Sequence, residues 1–106
     1  MKSNSIQIPV RFQLLGQTIK VRECATLLMD ENASGKSMPD KNVILLQSRS
    51  KAYDIPRAQQ VHTFYHELFH TMFAVAGFGV DYADEHKVDL MAGLMLQALS
   101  TMEYKK

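Results

Sequence analysis

The amino-acid sequence predicts an α+β fold in which a small antiparallel sheet of three or four strands packs against two or three helices. Three features lead to this prediction. Apolar and polar residues alternate early in the chain, a short apolar run lies near its middle, and the second half has the periodicity of two long helices. With 106 residues, of which 46% are hydrophobic, the chain has the size of one domain, which we place at residues 1–106.

Two alternating segments, residues 6–14 and 18–23, predict a β-hairpin that turns at Gly16-Gln17. Every second side chain along each strand should face the core, and the others should face solvent. Because Pro9 has no backbone N–H for a strand ladder, the first strand is expected at an edge of the sheet. The expected inward residues are Ile6, Ile8, Val10, Phe12, Leu14, Ile19 and Val21.

The segment of residues 30–41 has the composition of a loop with at most a short strand, and Val43–Leu46 predicts a buried strand. Two helices follow. The first spans residues 57–76, contains neither Gly nor Pro, and ends at a glycine. The second spans residues 84–102 and begins with Asp84 as its N-cap. Its expected core-facing stripe is Val88, Met91, Ala92, Met95, Leu96, Leu99 and Met102.

The charge balance and the cysteine content exclude several classes of protein. The formal net charge is +1, from 12 Lys and Arg against 11 Asp and Glu, which is no electrostatic footprint for nucleic-acid binding. No apolar run approaches the roughly 20 residues that a membrane-spanning helix requires. The N-terminus lacks the apolar stretch of a signal peptide, and Cys24 is the single cysteine. We therefore expect a cytoplasmic protein without nucleic-acid or membrane partners.

The segment His66-Glu67-Leu68-Phe69-His70 is an H-E-x-x-H motif on the first predicted helix. Residues four apart share one face of a helix, so His66 and His70 can bind the same zinc ion. Glu67 points about 100° away around the helix axis, where it can act as general base on a zinc-activated water. Zinc is therefore the expected cofactor, and Glu67 the expected catalytic residue.

A catalytic zinc needs a third protein ligand, and the second predicted helix offers the candidates. Glu85 and Asp89 are four residues apart on its otherwise apolar stripe, where an unpaired carboxylate is costly. We predict Glu85 as the third ligand and Asp89 as the acceptor of an imidazole N–H, with the exchange of these two roles left open. The other candidates are Asp81, Asp84 and His86.

His62 and Tyr82 are expected at the edge of the cleft. His62 lies one turn before His66 on the same helix face, which predicts a partly buried cleft residue rather than a fourth ligand. Tyr82 and Tyr53 are candidates for stabilising an oxyanion, and His86 is expected at the surface.

His66–His70, followed by Glu85-x-x-x-Asp89 on a second helix, resembles a gluzincin-type zinc metallopeptidase. The small size and the order of strands before helices are more similar to the minimal gluzincins and to the ImmA/IrrE-type peptidase domains of bacteria and phages. The resemblance implies a zincin-like metallopeptidase core, zinc ligation by His66, His70 and Glu85, and hydrolysis of peptide bonds by a zinc endopeptidase.

The sequence also departs from these families. Val88-Asp89 stands where the ImmA/IrrE pattern usually has Ala-Asn, and no helix-turn-helix segment accompanies the domain. The metzincin extension is absent, because Phe73 and Ala76 occupy its Gly and His positions. These departures argue against a repressor-cleaving role and against a third histidine ligand.

The expected partner is a protein or peptide substrate, which would pair with an edge strand around residues 36–46.

The alternative is a non-catalytic or self-inhibited zinc-binding module that acts by binding a partner protein. Retention of Glu67 argues against the non-catalytic version, while residues 101–106 or the N-terminus are candidate inhibitory segments. A chain of this size leaves little material for the far wall of a cleft, which a partner protein could complete. An accidental motif is the third alternative.

Overall fold

The computed structural model describes residues 7–105, in which the strands precede the two long helices, and it confirms the α+β class. In these residues there are four strands and four helices. They are β1 Arg11–Leu14, β2 Gln17–Cys24, α1 Leu27–Glu31, β3 Gly35–Met38, β4 Val43–Gln47, α2 Arg57–Val75, α3 Gly79–Tyr82 and α4 Glu85–Thr101. A 3-10 turn, Pro39–Lys41, connects β3 to β4.

The sheet is mixed, whereas the sequence predicted an antiparallel one. Its strand order is β1-β2-β4-β3, with antiparallel pairs at both sides and a parallel pair, β2 with β4, in the middle. Parallel neighbours need a long crossover connection, and residues 25–42 supply it with α1, β3 and the 3-10 turn. As a result β4 is central, which explains its continuous apolar run, and β3 is an edge strand.

The hairpin β1–β2 is confirmed, but its first strand is shorter than predicted. The strand begins at Arg11 because Pro9 cannot donate to the ladder, and Val10 is 74% exposed rather than inward. The expected inward residue Ile6 lies outside the described residues. The turn consists of Leu15 and Gly16, both with positive φ, so the prediction was right about Gly16 and wrong about Gln17.

One face of the sheet packs against α2 and forms the main core. Phe64 of α2 is 2% exposed and contacts the ring of Phe12 edge-on, with centroids 6.1 Å apart. Burial of such side chains stabilises the fold by about 1.5–3 kcal/mol each. This packing makes α2 the rigid support for whatever lies on its remaining faces. The buried residues of this cluster are Ile19, Ile44, Leu46 and Phe64.

The two long helices lie close to their predicted bounds, whereas α1 and α3 were not predicted. The N-cap of α4 is Asp84, whose Oδ1 accepts a hydrogen bond from the Lys87 N–H at 3.0 Å. The short helix α1 depends on tertiary contacts. Leu27 is buried, and the Leu28 N–H donates to Gln47 Oε1 at 2.8 Å. Such a helix has too few residues for a periodic signal.

The predicted core stripe of α4 is only partly buried. Val88 and Ala92 pack with Phe69 of α2, so the first turns of α4 are held against that helix. Farther along, Met91, Met95 and Met102 are 36%, 37% and 44% exposed, and Leu90 and Leu94 are also exposed. Among the helices of residues 7–105, none has the length and apolar character that a membrane-spanning segment requires.

Candidate metal centre

The histidines of the H-E-x-x-H motif lie side by side on α2, one helical turn apart. Their ring centroids are 4.9 Å apart, and their Nε2 atoms face each other at 3.2 Å. The opposite side of α2 is held by the core through Phe64, so both imidazoles project from a fixed helix toward α4. The i, i+4 spacing thus brings the two nitrogens together, as the sequence predicted.

Glu85 completes the group from the first position of α4. Its Oε1 lies 3.0 Å from His66 Nε2 and 2.8 Å from His70 Nε2. The chain returns through α3, and the cap at Asp84 starts α4 so that its first residue faces the histidines. His66, His70 and Glu85 each offer one ligand atom, and these atoms lie within 4.8 Å of one another.

Hydrogen bonds at the other ring nitrogen orient each imidazole. His70 Nδ1 lies 2.6 Å from the backbone oxygen of Tyr82, which can only accept, so Nδ1 carries the proton and donates it. His66 Nδ1 lies 3.2 Å from Asp89 Oδ1, a second acceptor. A neutral imidazole that donates from Nδ1 presents Nε2 as a lone-pair donor, which is the form that binds a metal ion.

In that form His66 Nε2, His70 Nε2 and Glu85 Oε1 direct three lone pairs to one point, where a cation can take the place of a shared proton. Bond lengths of about 2.0–2.1 Å in a tetrahedron around zinc place neighbouring ligand atoms about 3.3 Å apart. The observed separations are 3.2, 3.0 and 2.8 Å, within about half an ångström of that value. Two His and one Glu also form a donor set of catalytic zinc sites. The residues fit the predicted metal.

The two glutamates of the site differ in their acid strength. Glu67 is 8% exposed, and burial raises the pKa of its carboxyl, although the charges of His66 and His70 oppose this shift. Partial burial would also raise the pKa of Glu85, but the hydrogen bonds and charges of His70 and His66 outweigh it and leave that pKa below its usual value. Glu85 therefore remains ionised as a ligand should, while Glu67 holds a proton more readily.

Two shallow depressions meet at Glu67, one on each side of the histidine pair. One has a volume of about 270 Å³ and is lined by Ser37, His70 and Tyr82. The other has a volume of about 300 Å³ and is lined by Ser34, His62 and Asp89. The predicted cleft residues His62 and Tyr82 thus lie on opposite flanks of the site, and His62 Nε2 is 4.0 Å from Asp89 Oδ1.

The remaining ligand candidates have other positions or other contacts. Asp81 binds the Lys87 ammonium group, and Asp84 is the N-cap of α4. His86 is exposed, as predicted, and stands outside the ligand group. Tyr53 lies in the connection before α2, and it lines neither depression.

The sequence predicted an edge strand beside the site around residues 36–46, and β3, Gly35–Met38, is an edge strand that borders it. The contact of Gly35 and Ser37 with α2 beside Glu67 was not predicted, because their segment has loop composition with only a weak strand signal. The Ser37 and Thr71 hydroxyl oxygens lie 2.8 Å apart, and Thr71 Oγ1 donates to the Glu67 backbone oxygen at 2.9 Å. A glycine surrounded by polar residues was the one available signal, because glycine often marks a close approach between elements.

Comparisons of the chain with protein-family models, with curated proteins and with solved structures find no match. The function is therefore inferred from the site itself.

Proposed function

We propose that this protein is a zinc-dependent metallopeptidase of gluzincin type that cleaves internal peptide bonds. The observation that carries the proposal is the convergence of His66 Nε2, His70 Nε2 and Glu85 Oε1, with both Nδ1 atoms already committed to acceptors. Three lone-pair donors at these distances can hold one cation, and two His with one Glu are a donor set of catalytic zinc sites. An accidental motif would need no acceptor at either Nδ1 position.

Each residue of the site has a separate role in the proposed reaction. When bound, zinc polarises the scissile carbonyl and activates a water molecule. His66, His70 and Glu85 hold the metal, and Asp89 and the Tyr82 carbonyl keep the imidazoles oriented. Glu67 would accept a proton from the attacking water as the C–O bond forms, and it would then deliver that proton to the amine nitrogen as the C–N bond breaks. Burial of Glu67 beside the histidines keeps the carboxylate near this point.

The substrate class follows from the shape around Glu67. Depressions open on both flanks of the ligand group, so a chain can extend past the site in both directions. The edge strand β3 borders the site, and an edge strand offers unpaired backbone groups to an extended peptide. Both features favour cleavage within a polypeptide rather than at its end. The single cysteine fits a reducing compartment, and we propose the cytoplasm.

The metal is tested by elemental mass spectrometry of purified wild type, Glu85→Ala and the control Glu103→Ala, an exposed glutamate beyond α4. We expect about one zinc ion per chain in wild type and in the control, and a sharp loss in Glu85→Ala. Absence of zinc from all three proteins after incubation with zinc would contradict the proposal. Equal zinc content in all three would remove Glu85 from the ligand set.

The reaction is tested with a library of quenched fluorescent peptides on wild type and Glu67→Gln. Loss of the base should lower kcat by about 10²–10⁴-fold while the zinc content stays the same. A Glu67→Gln protein as active as wild type would exclude Glu67 as the general base.

A second function is favoured by the exposed apolar face of α4. Leu90 and Leu94 are 54% and 53% exposed, one helical turn apart, which is typical of a surface that binds another protein. This observation supports the alternative of a zinc-binding module that acts on a partner without catalysis. A wild-type protein that holds zinc but hydrolyses no peptide of the library would favour it.

A further inference from the structure

Strand β3 approaches α2 so closely at Gly35 that there is no room for a side chain. A Cβ atom built on Gly35 would lie 2.6 Å from Thr63 Cγ2, 3.0 Å from Glu67 Cγ and 3.2 Å from Glu67 Oε2. Carbon atoms in good contact are about 3.5–4.0 Å apart. The backbone of Gly35 is not in the left-handed region, so the glycine serves this close approach rather than a turn.

The neighbours of Gly35 differ in how far they can yield. Thr63 is β-branched, and its Oγ1 donates to the Gln59 backbone oxygen at 3.0 Å, which holds its methyl group toward the strand. The strand itself is tied to α2 through Ser37 and the fully buried Thr71. The Glu67 side chain has more rotatable bonds than either, so it is the group that a larger residue 35 would displace.

We propose that Gly35 is a positioning residue for Glu67, an inference that rests on the proposed function. The missing side chain at Gly35 leaves the space in which the Glu67 carboxylate reaches the ligand group. Glu67 lines both depressions and lies one residue from His66, so a shift of its carboxylate changes its distance to the reacting atoms. A displacement of about 1 Å at a catalytic group can lower a rate 10²-fold, so the shift of a few tenths of an ångström that these contacts require should lower it several-fold. The edge strand thus acts on catalysis through the base.

The contact is tested first by a double-mutant cycle that needs neither metal nor activity. Urea unfolding of chelator-treated protein is measured for Gly35→Ala, Glu67→Ala and both together, all in a Thr63→Ser background that removes the closest methyl group and keeps the hydroxyl. We expect Gly35→Ala to lower the unfolding midpoint clearly when Glu67 is present and much less when residue 67 is Ala. Additive shifts would show that the two residues do not contact and would overturn the inference.

The catalytic consequence is tested on the zinc-loaded proteins with the fluorescent peptides. Relative to the Thr63→Ser background, Gly35→Ala should lower kcat by about 3- to 10-fold, with KM and zinc content unchanged. The matched control is Gly93→Ala, since a Cβ at Gly93 of α4 has no atom within 4 Å and should leave kcat unchanged.

The outcomes separate this inference from the proposed function. Unchanged kcat in Gly35→Ala, or a change confined to KM, overturns the positioning role even if the cycle shows coupling. A wild type without zinc and without hydrolysis contradicts the proposed function, and the catalytic role of Gly35 fails with it. Coupling in the cycle together with a loss of kcat at constant zinc content supports the inference.

Discussion

The two walls of the candidate metal site differ in how firmly the fold holds them. The histidines on α2 are largely enclosed, with side chains 21% exposed at His66 and 9% at His70. The carboxylates on α4 are open to solvent, with side chains 68% exposed at Glu85 and 63% at Asp89. Packing therefore fixes the positions of the two histidines, whereas the carboxylates depend on the polar contacts of the site itself.

The difference follows from what each helix packs against. One side of α2 lies on the sheet through Phe64, and its other side meets α4. Helix α4 is held near its start by Val88 and Ala92, while much of its remaining surface is free. We therefore expect changes on the α2 wall to affect folding and metal binding together, and changes on the α4 wall to affect mainly metal binding.

The largest expected effect comes from removing a histidine. His66→Ala and His70→Ala should both abolish tight zinc binding, but His70→Ala should also destabilise the metal-free fold by about 1–3 kcal/mol, since it leaves the Tyr82 carbonyl without its donor. Chelator-treated proteins compared by urea unfolding, with the exposed His86→Ala as control, measure the difference. A larger loss of stability in His66→Ala than in His70→Ala would contradict this prediction.

Asp89→Ala tests the α4 wall and should have an intermediate effect on zinc affinity. Loss of the acceptor at His66 Nδ1 is expected to weaken zinc binding by about 10–100-fold while leaving the ligand set intact. Competition with a chromophoric chelator gives the affinity, and Glu103→Ala is the matched carboxylate control. Complete loss of zinc would instead assign Asp89 as a ligand and exchange its role with that of Glu85.

Glu67→Gln tests the buried α2 wall, and its expected effect on the stability of the metal-free fold is the smallest of the three. Burial raises the pKa of Glu67, so the folded metal-free protein disfavours its ionised form. The stability that the protonated group contributes is present below the ordinary carboxyl pKa of 4.5 and is lost as the pH rises through the raised folded-state value. We expect the variant to exceed wild type in stability by about 1 kcal/mol at pH 7 and to match it near pH 4.

Thermal unfolding of Glu67→Gln and wild type at several pH values, with chelator present, measures the difference in stability and tests this prediction. Glu103→Gln serves as control, because an exposed glutamate should give no such dependence on pH. If Glu67→Gln were less stable than wild type at pH 7, the carboxylate would be stabilising the fold, and burial would not govern its ionisation.

The sequence predicted the parts of the molecule whose signals are local. The bounds of α2 and α4 came from periodicity, a glycine and the cap at Asp84, all of which act within a few residues. The shared face of His66 and His70, and the common stripe of Glu85 and Asp89, required only helix geometry. The parallel pairing of β2 with β4 and the helix α1 were missed, because both depend on contacts with residues far along the chain.

The sequence alone sets the chemistry of the site: two imidazoles and a neighbouring carboxylate on one helix, and two carboxylates on the next. Periodicity is a local property, so the face that carries these groups is set without knowledge of the fold. The tertiary structure alone decided which carboxylate meets Nε2 and which meets Nδ1, and it brought Gly35 against Glu67. Those distances depend on how the sheet and the helices pack together, and packing is a property of the whole chain.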